Sequence, residues 1–155
     1  MQNSNFKEIT RAPIFILVLF FIQLIVFIII YINNEESNFG IFYVLIPVTL
    51  LLGVSFLKIS LNKNTFTYQL FPFHLKNNSL DWNQIEKIEI MKINALSDFL
   101  GWGLRYSRKY GTGYILGSDN ALFITLKTGK KMTFTINDKS QFISFFKTNN
   151  IEYTE

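Results

Sequence analysis

The densest group of side chains able to do chemistry is Arg105, Tyr106, Arg108, Lys109 and Tyr110. Three cations and two phenols packed into six residues suit phosphate-bearing headgroups or an acidic partner. Guanidinium forks pair with phosphate oxygens, and tyrosine settles where apolar and wet regions meet. The plain alternative is an exposed loop with solvated charges.

The chemistry of catalysis finds little to use. His74 is the only histidine and there is no cysteine, so a zinc site would need several converging carboxylates. Glu86 and Glu89 instead lie on an alternating run and read as solvated. No nucleophile elbow accompanies any serine. Gly111-Thr112-Gly113 and Gly117 have the wrong spacing for a dinucleotide fingerprint, and no strand–helix–strand unit surrounds them. No catalytic, cofactor or metal site is therefore expected. Without cysteine, disulfides and thiolate chemistry are excluded.

A third group lies in apolar surroundings. Gln23 interrupts one hydrophobic run, and Thr49 and Gly53 stand four apart in another. Small residues at that spacing let helices approach closely, and a buried amide favours an interhelical hydrogen bond. Helix packing is the expectation. Neither run contains an ionisable residue that could line a transport path.

These groups need elements to position them. Pro13 to Ile32 gives twenty residues, about 30 Å of helix, and matches the hydrocarbon thickness of a bilayer. Seventeen of the nineteen side chains from Ile14 to Ile32 are Leu, Ile, Val or Phe. At roughly −0.3 to −0.6 kcal/mol each near the centre, they outweigh one neutral amide. Phe39 to Leu57 is a second uncharged run, with Pro47 expected to kink it. Asn33 to Asn38 is long enough only for a tight turn, so a two-helix transmembrane hairpin is expected, with spans 13–32 and 39–57. Lys7 and Arg11 precede it, Lys58 and Lys63 follow it, and the turn carries only Glu35 and Glu36. Basic residues stay inside, so both termini are expected in the cytoplasm of a multi-pass inner-membrane protein.

Residues 1–12 read as a polar, loose segment, and residues 58–155 as one domain. That domain has thirteen basic and eight acidic residues, a mild excess suited to an anionic inner leaflet. The charges are dispersed, so nucleic acid is not an expected partner. A hairpin is predicted with strands near 57–61 and 65–71 and a tip at Asn62-Lys63-Asn64. Asp81 and Gln84 are spaced as a capping pair, followed by Ile88 and Ile90 in strand-like alternation; a helix through Ile85, Ile88 and Met91 is the alternative. Asn94 to Gly117 reads as loop-rich, with a short strand at Trp102–Tyr106. Leu122, Ile124 and Leu126 match Met132, Phe134 and Ile136 across the Thr128-Gly129 turn, an antiparallel hairpin with one buried face. Asp138 caps a helix whose apolar stripe is Phe142, Phe145 and Phe146.

About six or seven strands closed by a C-terminal helix describe an α+β roll or barrel. With Asp81-Trp82 and Ile85, the run Gly101-Trp102-Gly103-Leu104-Arg105-Tyr106, the closing hairpin and the Asp138–Asn149 helix, the chain resembles bacterial pleckstrin-homology-like (PH-like) domain proteins carrying an N-terminal transmembrane pair. The likeness covers roughly residues 59–149. It implies a seven-strand antiparallel barrel capped by one helix, and mostly no assigned activity. Phosphoinositide-binding relatives concentrate Lys and Arg about their first hairpin, where this chain offers Lys63 and Lys58. The functional expectation is a non-enzymatic, membrane-anchored interaction module that binds headgroups, a protein partner or a second copy of itself. The alternatives are an accessory subunit of a transport or envelope complex acting through its hairpin, and a membrane-bound enzyme.

Overall fold

The computed structural model describes residues 6–33 and 40–155. The expected turn at 33–38, with Glu35 and Glu36, lies almost wholly outside the described residues, as does Phe39.

Of the expected loose segment 1–12, residues 1–5 lie outside the described residues and residues 6–11 form a strand. β1 (Phe6–Arg11) leads into α1 (Ile14–Asn33), α2 (Gly40–Gly53) and β2 (Phe56–Leu61), and β1 pairs antiparallel with β2 from Phe6↔Leu61 to Arg11↔Phe56. The helical hairpin is thus inserted between two neighbouring strands of one sheet rather than placed ahead of the domain. Ala12 N–H donates to the Ser55 carbonyl at 3.3 Å, tying its entry to its exit. β1 carries only isolated apolar residues among charges, but its inward set is Phe6, Glu8 and Thr10. Phe6 meets Phe142 edge-on at 4.8 Å, and Thr10 is buried. The Glu8 carboxylate accepts from the backbone N–H groups of Asn137 and Asp138, each at 2.9 Å, so an inward charge is satisfied.

α1 has 20 residues and is long and apolar enough to cross a membrane; Ile16 is its one buried residue. α2 does not repeat this. It has 14 residues, about 21 Å, which falls short of a 30 Å core, so the described residues contain one candidate span and not two. The expected second span ran on to Leu57 because hydropathy does not mark where a helix stops and a buried strand starts. Here the change comes at Val54 and Ser55, whose hydroxyl donates to the Leu51 carbonyl at 2.8 Å. Leu57 is then core, fully buried on β2.

β2 turns at Asn62–Asn64 into β3 (Thr65–Phe71), and β4 (Asn78–Asp81) completes a four-stranded sheet, order β1-β2-β3-β4. A single 3₁₀ turn, Trp82–Gln84, follows, with Asp81 N–H donating to Gln84 Oε1 at 3.3 Å. The ambiguity beyond it resolves as a strand, β5 (Ile85–Lys92). α3 (Ala95–Phe99), β6 (Gly103–Ser107), β7 (Gly111–Ile115), β8 (Asn120–Leu126) and β9 (Lys131–Thr135) follow, then α4 (Lys139–Thr148). The second sheet has the order β5-β8-β9-β7-β6.

The described residues therefore form two sheets of four and five strands, not a closed barrel of six or seven, and β7 runs parallel to β9. The sheets face each other across one core that includes Leu57, Ile59, Phe66, Leu122 and Phe134, with α4 adding Phe142, Phe145 and Phe146 as its buried stripe. The β8–β9 hairpin departs from the one-buried-face expectation. Phe123, Thr133 and Thr135 are buried as well, because Tyr110 packs edge-on over Phe123 at 6.0 Å. Thr133 Oγ1 donates to the Tyr110 carbonyl at 2.9 Å, and Thr135 Oγ1 accepts from Leu116 N–H at 2.8 Å. Threonine thus sits inside a core with its hydroxyl bonded.

The domain has two ends. Arg11, Ser55 and Phe56 lie at the helical end. So does Gly117, at φ 53, where a Cβ would stand 2.2 Å from the Arg11 carbonyl oxygen. The tip at Asn62 accepts from Trp82 Nε1 at 2.8 Å and marks the far end, with Lys127 N–H on the Gln84 carbonyl at 2.9 Å beside it.

Candidate functional site

The basic-aromatic cluster divides along the β6–β7 hairpin. The base of β6 belongs to the helical end: Trp102 meets Phe15 of α1 edge-on at 5.1 Å, and Gly103 faces Leu52 of α2. From Gly103, β6 rises five residues, about 16 Å, toward the far end. There Gly111 packs directly against Lys131 at the start of β9. Arg105 is exposed, but its guanidinium folds back toward the helical end, with Nε donating to the Trp102 carbonyl at 2.9 Å. Tyr106 is exposed on the same edge strand. Arg108 and Lys109 form the tip of the hairpin and are exposed.

Tyr110 is structural as much as superficial. It stacks on Phe99 at 5.8 Å and reaches Phe123, while Lys109 Nζ lies 4.6 Å over its ring. The Tyr110 phenol, by hydrogen bonding first and charge second, holds the Lys109 ammonium above its ordinary pKa. The five residues therefore present separate surfaces rather than one basket: Arg105 and Tyr106 along an edge, Arg108 and Lys109 at a tip, Tyr110 turned into the domain.

A second basic surface escaped sequence reasoning because it needs two strands that are far apart in the chain. On the outer face of the first sheet, Lys7 and Lys58 line a concavity of about 270 Å³ with Ser60, Asn62, Thr67 and Asn77. Its lining has no carboxylate.

In the helical hairpin, Gln23, Thr49 and Gly53 do meet the opposite helix. Thr49 Oγ1 lies 2.9 Å from Gln23 Oε1 and 2.8 Å from the Leu45 carbonyl. A hydroxyl has one proton, so the interhelical bond competes with the local one. A Cβ on Gly53 would stand 2.6 Å from Leu17 Cδ2, which places α2 tightly against α1 at that level.

Among the described residues no three His, Asp or Glu side chains converge as metal ligands. His74 follows β3 and packs beside the rings of Tyr68 and Tyr114, at 6.1 and 5.7 Å. Its Nδ1 is buried without a hydrogen-bond partner among the described residues. Burial, and then the neighbouring Tyr68 hydroxyl, push the Tyr114 phenol far above its usual pKa, so it stays neutral.

Compared with family models, curated proteins and solved structures, the chain matches none. The PH-like resemblance rests on the sequence motifs alone.

Proposed function

We propose that this chain is a non-enzymatic, membrane-anchored interaction module, with a PH-like domain held on the cytoplasmic face of a bilayer. The observation that carries the reading is the insertion of the helical hairpin between β1 and β2. The outer surface of α1 is almost entirely Leu, Ile, Val and Phe, exposed along its length. Apolar area on that scale needs a non-aqueous neighbour. Because β1 and β2 pair along their whole length, a chain that leaves the domain at Pro13 comes back to the same face by Ser55. Lys7, Arg11 and Lys58 beside that point favour the cytoplasmic side.

Within this reading the two ends of the β6–β7 hairpin do different work. Arg105, folded back toward Trp102, faces the headgroups. Arg108 and Lys109 sit at the hairpin tip, about 16 Å from Gly103 at the helical end, more than one screening length away, and so face an acidic protein partner.

The accessory-subunit reading keeps one supporting observation: α2 is short, with Ile41, Tyr43, Val44 and Val48 exposed on it, and a neighbouring transmembrane protein would cover them. Co-purification in mild detergent separates the two. The full chain is compared with a version in which Arg11 is joined to Phe56 by an Asn-Gly turn in place of residues 12–55. A partner retained by the hairpin-less version supports the module, whereas one lost with the hairpin supports the subunit.

A further inference from the structure

The helical end of the domain is bordered by large apolar side chains that no other part of the described chain covers. The turn after β3 exposes Phe73 and Leu75, at 44% and 79% of their surface. α3 and its cap expose Leu96 and Leu100, at 59% and 86%. Both groups adjoin the helices. Phe73 and Leu52 each come to 3.8 Å of where a Cβ on Gly103 would stand. Leu96 and Trp102 line a small cleft with Pro13, the residue that opens α1.

Leu100 is the most informative of the four. It caps α3 in the left-handed region, at φ 60 and ψ 29. That conformation favours glycine or asparagine and is strained for a bulky side chain. A leucine held there with 86% of its surface in the open gains nothing from folding in water. Among the described residues nothing covers its side chain.

We propose that Phe73, Leu75, Leu96 and Leu100 form an apolar rim that inserts into the lipid interface beside the α1–α2 hairpin and fixes the tilt of the domain. The occupant is lipid rather than protein because the rim adjoins the lipid-facing helices: Leu96 shares a cleft with Pro13 and with Trp102, which meets Phe15 of α1, and Phe73 and Leu52 of α2 both lie against Gly103. Side chains at this level sit in the headgroup and upper acyl region, a layer about 5–10 Å deep. Trp102 suits the same layer, its ring apolar and its N–H polar. The inference rests on α1 lying in a bilayer, and it adds a second, peripheral contact to that anchor.

The chain has no cysteine, so single cysteines report cleanly. The full chain is reconstituted in phosphatidylcholine vesicles with a spin label at Leu75→Cys, at Leu100→Cys, at Lys109→Cys as the water reference, or at Ile22→Cys as the lipid reference. Collision with oxygen and with a water-soluble nickel chelate is measured for each. The rim predicts that the labels at positions 75 and 100 lose nickel collisions relative to position 109 and gain oxygen. Leu100→Asn suits the left-handed cap, so it leaves the thermal midpoint in detergent unchanged or raised, yet restores nickel access to a label at position 75. Nickel access at 75 and 100 equal to that at 109, with position 22 in lipid, overturns the rim and leaves the anchor standing. A water-exposed position 22 overturns both.

Discussion

If the hairpin is an insertion, the soluble domain does not begin at Lys58. A fragment of residues 58–155 lacks all of β1 and the first two residues of β2. The loss can be worked contact by contact. Phe6 is only half-buried, so its packing on Phe142 is worth less than the ~3–5 kcal/mol of a fully buried Phe; about 2 kcal/mol is reasonable. The two Glu8 bonds to Asn137 and Asp138 contribute about 1–2 kcal/mol each. Fully buried Leu57 adds about 2 kcal/mol or more. The total, on the order of 6 kcal/mol, rivals the ~5–15 kcal/mol that stabilises a whole domain. Joining Arg11 to Phe56 by Asn-Gly keeps every one of these contacts, because the two residues already face each other across the ladder and a two-residue turn closes such a pair. Urea unfolding followed by circular dichroism compares the two proteins. The linked version, from Phe6, should unfold in one cooperative transition, and the 58–155 fragment should show none or a midpoint near zero urea. A fragment within about 1 kcal/mol of the linked version would refute the insertion, since β1 would then contribute nothing.

Other consequences are open to simple measurements. In the linked domain, Phe145→Ala should cost about 3–5 kcal/mol in urea titrations, because the Phe145 ring is buried against Trp82 and Phe146. In the full chain, Gly53→Leu should weaken the packing of α1 on α2 measurably in detergent titrations, since Leu17 occupies the space. Thr49→Val should change it by only about 0.6 kcal/mol, the usual size of such a bond. The Ser140 hydroxyl, and then the Gln141 N–H, hold the Asp138 carboxylate below its ordinary pKa. Its capping contribution is therefore present above the unfolded value of about 3.9 and fades as pH falls through the lower folded value. Melting curves between pH 5 and pH 2 should fall more steeply for the parent than for Asp138→Asn, and parallel curves would contradict that role.

Much of the second sheet is legible in the sequence, because its signals are local. Alternation from Leu122 to Ile136 gives β8 and β9, and the Phe142, Phe145, Phe146 spacing gives α4 and its buried face. β1 was not legible. Its partner lies some fifty residues away across two helices, and its inward carboxylate depends on backbone N–H groups of Asn137 and Asp138, some 130 residues on. Nor was the length of α2, since Leu57 is as apolar in a core strand as in a bilayer. The buried Thr133 and Thr135 mimic a solvated face until their hydroxyl partners are known. For the basic cluster the residues themselves were visible. What the chain order could not give was direction: Arg105 turns toward the helical end, while Arg108 and Lys109 sit at the opposite tip. The proposed apolar rim is hidden for a like reason, as Phe73 and Leu96 come near Leu52 and Pro13 of the hairpin only through the fold.

The central claim is that the strands on either side of the helical hairpin lie together on the cytoplasmic face of the membrane that the hairpin anchors. Single cysteines at Lys7→Cys, before α1, and Lys58→Cys, after α2, test it with a membrane-impermeant maleimide applied to intact cells and to disrupted membranes. Both sites should be protected in intact cells and labelled after disruption, with the chain retained in the membrane fraction at alkaline pH. Labelling of either site in intact cells, or opposite results at the two, would contradict the account.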